Sequence, residues 1–125
     1  MKGQIGINLN DLSKLAKKNP KYATLLGELA GIDMFIKNFC GDTIENYADA
    51  KVYFIKTELL NQCYNLYIYN RERNVTIGYS WLFEDFLCKC QTKMIEKDVE
   101  NVVLKVIDKM NNDTKLSETK INWII

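Results

Sequence analysis

The chain has no histidine. The one side chain that titrates near neutral pH without perturbation, and the commonest metal ligand, is therefore missing. Catalysis of the Ser–His–Asp or Cys–His kind is excluded. Arginine is scarce: Arg71 and Arg73 stand against fifteen lysines, and with sixteen acidic residues the formal net charge is +1. A balance this close to neutral gives no general attraction to nucleic acid or to an anionic membrane. No apolar run approaches the length of about 18 residues that a membrane-spanning helix needs. The four cysteines, Cys40, Cys63, Cys88 and Cys90, include no C-x-x-C pair of the zinc or redox type. The N-terminus lacks the basic-then-apolar layout of a signal peptide. Together these absences predict a cytoplasmic protein with reduced thiols, no membrane association, no metal and no cofactor.

What is present suits an ordinary folded chain. The 125 residues are 47% hydrophobic and 26% charged, without internal repeat or low-complexity tract. One domain, residues 1–125, is expected, with roughly two-thirds of the unfolded surface removed from water. Ile5, Ile7 and Leu9 alternate as a short opening strand would. Residues 10–18 read as a short helix with Leu12, Leu15 and Ala16 inward. The single proline, Pro20, follows Asn19, a suitable N-cap and first-turn pair. From there to Cys40, the residues Tyr22, Leu25, Leu26, Leu29, Ile32, Ile36 and Phe39 recur at helical period. Gly41 is expected to end this helix as a C-cap. Asp42 or Thr43 would then cap a short turn through Tyr47.

Ala23, Gly27 and Gly31 form a second, small-residue face on the same helix. Each interior glycine costs about 1 kcal/mol relative to alanine. Close packing within the chain, a helix break at Gly31, and a contact between two copies each account for them. With off-stripe Phe35 and the apolar C-terminus, this face makes a homodimer the expectation. Asp33 falls inside the apolar stripe, where it is expected to meet Lys37 one turn on.

Three strand-like segments follow: Val52 to Thr57, Leu66 to Tyr69, and Val75 to Trp81 with strict alternation. Short Asn-containing connectors join them, predicting an antiparallel meander. Leu82, Phe83, Phe86, Leu87, Cys90 and Met94 share one helical face. Val99, Val102, Val103, Val106, Ile107 and Met110 share another. The apolar direction jumps by about half a turn between the two, so a break is expected near Lys97–Asp98. Asn111-Asn112-Asp113 ends the second helix, and Lys120 to Ile125 is strand-like. The predicted class is α+β: a helical N-terminal part, a central three-stranded antiparallel meander, two C-terminal helices and a short terminal strand.

Four constellations carry residue types that bear on chemistry. Gly78-Tyr79-Ser80-Trp81-Leu82 sits where a nucleophile elbow places its serine. Leu82 replaces the needed glycine, however, and no imidazole exists to activate Ser80. Cys88 and Cys90, two apart on a helix, point about 200° apart and do not converge. Lys14, Lys17, Lys18 and Lys21 with the following helix resemble a helix-turn-helix, but Leu25, Leu26 and Leu29 replace the polar side chains that read bases. Tyr67, Tyr69, Arg71 and Arg73 have one parity along a strand and its turn, and Tyr and Arg are enriched at interface hot spots.

The functional expectation is a small non-catalytic binding protein whose partner is a protein, met at Tyr67, Tyr69, Arg71 and Arg73. The Lys-, Asn- and Ile-rich composition associates it with phages or other mobile elements, where an inhibitor or counter-defence role would fit. A nucleic-acid-binding regulator and a small-ligand sequestering protein are the alternatives.

Overall fold

A computed structural model describes Lys17 and residues 20–48, 52–60 and 62–124, with backbone alone for 20–28. The opening strand and short helix expected before Asn19, and most of the lysine cluster, lie outside the described residues.

The first helix whose bounds are described, α1, spans Pro20–Tyr47, about 42 Å at the usual rise per residue. It does not end at Gly41. Leu29, Ile36, Cys40 and Ile44 are all buried, so the apolar stripe continues one turn beyond the glycine and tertiary packing carries the helix through. Gly41 keeps helical backbone with open space around it. The cap expected at Asp42 or Thr43 is replaced by unbroken helix. Gly31 likewise lies inside the helix, with nothing among the described residues within 4 Å of the place a Cβ would take. A break there is ruled out, and no described residue packs closely there.

Among the described residues the sheet has four strands in the order β1-β2-β3-β4. β1 is Tyr53–Leu60, β2 Cys63–Asn70 and β3 Val75–Leu82. These three form the expected antiparallel meander, with longer strands than the alternation alone indicated. β4, Asn122–Trp123, returns parallel to β3. Gln62 and Asn74, at φ 61° and 56°, occupy the left-handed region at the two turns, a conformation that asparagine tolerates well at such sites.

Two helices complete the fold: α2, Phe83–Gln91, and α3, Ile95–Asn112. The break between them falls at Thr92–Met94, not at Lys97–Asp98. Lys93 takes φ 60° and the Thr92 N–H returns to Cys88 O at 2.9 Å, a helix stop of the left-handed kind. Asp98 lies inside α3, where it accepts the Trp81 indole N–H at 2.6 Å and meets the Lys89 ammonium at 3.6 Å. Its place in the first turn also suits the helix dipole.

The three helices α1, α2 and α3 lie on one face of the sheet. Leu59, Tyr64, Leu66, Ile68, Val75, Ile77 and Trp81 point into this core, against Leu29, Ile36, Phe86, Val99, Val103 and Val106. The stripe expected on α3 is buried throughout. The stripe expected on α2 is buried fully only at Phe86, whose ring stacks on Tyr64 at 4.1 Å. Leu82 and Met94 remain exposed. Asp33 is the polar rivet of the core edge. It pairs with Lys37 at 3.0 Å as expected, and it also accepts hydrogen bonds from the Thr57 hydroxyl and, at 2.5 Å, from Tyr64. Burial pushes its carboxyl up, but the two hydroxyls and the ammonium outweigh burial and hold it below its ordinary value.

Candidate binding face

Alternation along the strands sends Phe54, Lys56 and Glu58 of β1, Asn65, Tyr67 and Tyr69 of β2, and Thr76, Gly78 and Ser80 of β3 to the face away from the helices. No described helix covers this face. β4 adds Trp123, whose ring lies across Gly78: a Cβ there would meet the ring at 2.8 Å and the Ile121 side chain at 2.9 Å. Only glycine admits the indole at that position.

The four residues expected to form a site separate into three roles. Tyr69 is half-buried, stacks on Phe54 at 6.2 Å and 24°, and donates its hydroxyl to Asn74 at 2.9 Å. Arg71 is exposed and holds its guanidinium over the Phe54 ring, 5.3 Å from the centroid. Among the described residues its side chain has no hydrogen-bond acceptor or acidic partner. Tyr67 shares the face but is only 7% exposed. It meets Trp123 edge-on at 5.8 Å. Burial, with the neighbouring Glu58 carboxylate, pushes its hydroxyl up to about 12.

Arg73 leaves the face altogether. Its guanidinium donates to the carbonyl of Met110 and, at 2.9 Å, to that of Asp113. It thus ties the β2–β3 turn to the C-terminal end of α3, where carbonyls lack helical partners and a cation is favoured. Asn70 supports the same turn by accepting the Arg73 N–H at 3.1 Å.

Two members of the face escaped the sequence reading. Phe54, 51% exposed, lies directly opposite Tyr69. Its parity with Lys56 and Glu58 was a usable signal, masked because β1 is apolar at both parities near its ends. Trp123 reaches the face only through the parallel return of β4, which no local pattern announces.

The remaining residues considered in the sequence lie as follows. Ser80 is exposed, with no side-chain hydrogen bond to any described residue. Cys88 is exposed, while Cys90 is half-buried against the core. Among the described residues no three acidic or sulfur side chains converge as a metal site would require. Of the expected oligomer contact, Ala23 and Gly27 are described only as helical backbone. Gly31 and Phe35 line an open groove of about 700 Å³ with Ile32, Cys90 and Ile95, and Phe35 packs on Phe39 at 5.9 Å. No described helix is long and apolar enough to cross a membrane. Comparison with protein-family models, with curated proteins and with solved structures gives no match.

Proposed function

We propose that the chain is a small non-catalytic binding protein that meets a protein partner through the open sheet face around Phe54, Tyr69 and Arg71. One observation carries this reading. The Arg71 guanidinium, which makes no hydrogen bond or ion pair with any described residue, is held over a half-exposed aromatic ring that is itself stacked on a second. A guanidinium pre-positioned on an aromatic platform is suited to a carboxylate at the edge of an apolar contact. The partner is accordingly a protein surface that offers an acidic side chain beside an apolar one.

Affinity capture from the native cell, with the wild-type protein and the Arg71→Ala variant as parallel baits, tests the reading. The expected result is a protein retained by the first bait and lost from the second. Equal retention by both would place the contact elsewhere. Captured nucleic acid whose affinity falls steeply with salt would favour base stacking on the same aromatics.

A further inference from the structure

β1 is an outer strand of the sheet, eight residues long and free of proline. Among the described residues no segment pairs with its outer edge. Such an edge is a template for another strand, and charge on it usually serves to keep strands away. Here the charges have a different arrangement. Phe54-Ile55-Lys56-Thr57-Glu58-Leu59-Leu60 runs apolar, apolar, cation, threonine, anion, apolar, apolar. Laid antiparallel beside a copy of itself about Thr57, it meets its own complement.

The backbone permits that pairing. The Arg71 N–H donates to Val52 O at 2.6 Å. In an antiparallel ladder such exchange recurs at every second residue. With the observed register, Val52, Phe54, Lys56, Glu58 and Leu60 therefore turn their backbone groups to β2. Tyr53, Ile55, Thr57 and Leu59 turn theirs outward. A two-fold axis at Thr57 matches outward groups with outward groups: Thr57 with Thr57, and Ile55 with Leu59 of the second copy. Lys56 then stands opposite Glu58 of the second copy, twice by symmetry, in the class of pair whose side chains approach most closely. The nearest alternative registers, centred on Lys56 or on Glu58, set lysine against lysine or glutamate against glutamate. Cross-strand charge pairing therefore selects one register.

We propose that two copies of this chain associate through β1, antiparallel about Thr57, to make one continuous sheet. The axis stands perpendicular to the sheet, so both helix layers lie on one side and both open faces on the other. The inference rests on the strand edge and is independent of the face reading above.

Sedimentation of the full chain, with amide hydrogen exchange at several concentrations, tests it. The wild type is expected to be a dimer. Amides of Ile55, Thr57 and Leu59 should be protected at high concentration and should exchange freely on dilution, while those of Phe54, Lys56 and Glu58 stay protected throughout. Lys56→Glu turns two attractive pairs into repulsive ones and should weaken the dimer by roughly 30-fold. The swap Lys56→Glu with Glu58→Lys should restore it. A wild-type monomer at high micromolar concentration overturns the proposal. So does a dimer indifferent to Lys56→Glu, or protection of the outward amides that ignores dilution. The exchange pattern is read on the wild type, so the test stands even where a variant folds poorly.

Discussion

The two arginines, two residues apart, should behave as opposites when each is truncated. Arg73→Ala removes two charge-assisted hydrogen bonds to the carbonyls of Met110 and Asp113 and the cation at the C-terminal end of α3. Hydrogen bonds to a charged group contribute about 1.5–3 kcal/mol each. Arg73 is only half-buried and water will reclaim part of that, so a net loss of about 2 kcal/mol is expected. For a chain of this length that corresponds to a fall in Tm of roughly 6–10 °C. Arg71→Ala removes only an exposed cation–aromatic contact and should stay within about 0.5–1 kcal/mol of the wild type. Its effect belongs to binding: a hot-spot truncation of 2 kcal/mol or more is about thirtyfold or more in Kd. Thermal melts followed by circular dichroism and titration of the captured partner read the two quantities separately, with exposed Lys105→Ala as control. If Arg73→Ala melts with the wild type, the strut between turn and helix is not holding the fold. If Arg71→Ala melts as early as Arg73→Ala is expected to, or binds the partner unchanged, the division of labour is wrong.

Gly78→Ala should cost about 1–2 kcal/mol, because the new methyl displaces the Trp123 ring and loosens β4; tryptophan fluorescence should report the movement. Against a Trp123→Ala background most of that cost should vanish, and a cost equal in both backgrounds would contradict the packing described. Asp33→Asn should destabilise the fold at neutral pH, where the carboxylate is ionised. Because the folded carboxyl lies below its ordinary value, its contribution is full above the unfolded value of 3.8 and is lost as pH falls through the folded one. The gap between wild type and variant in chemical-denaturation melts should therefore narrow only in acid, below about pH 4; a gap independent of pH would remove the Lys37–Asp33–Tyr64 network as its cause. Thiol labelling of the native protein should modify Cys88 first and spare Cys40, whose thiol is buried and pushed up to about 12. Early loss of Cys40 at mild pH would mean that α1 opens readily.

The candidate face was half legible. Tyr69 and Arg71 stand on it because strand alternation needs only the period of two. Arg73 has the same parity, but parity ends where the strand ends, and Asn70 is the last residue of β2. Beyond it the turn re-aims the side chain toward α3, a segment 37 residues away in the chain. Tyr67 is on the right face and nonetheless buried, because β4 brings Trp123 onto it.

Period and polarity in the sequence alone determined the class, the stripe of α3, the α1 stripe from Leu29 onward and the antiparallel meander, because each depends on residues within a few positions of one another. Endpoints needed the tertiary structure. Gly41 is a helix stop in isolation, and it is helix here because Cys40 and Ile44 on its flanks are buried. Lys93, with no local propensity for the left-handed region, adopts it because α2 and α3 must both reach one core. The parallel return of β4, and with it the fit of Trp123 over Gly78, also belongs to the tertiary structure. Burial and backbone contacts supplied from distant segments outweigh preferences of about 1 kcal/mol per residue, and those segments are not adjacent until the chain has folded.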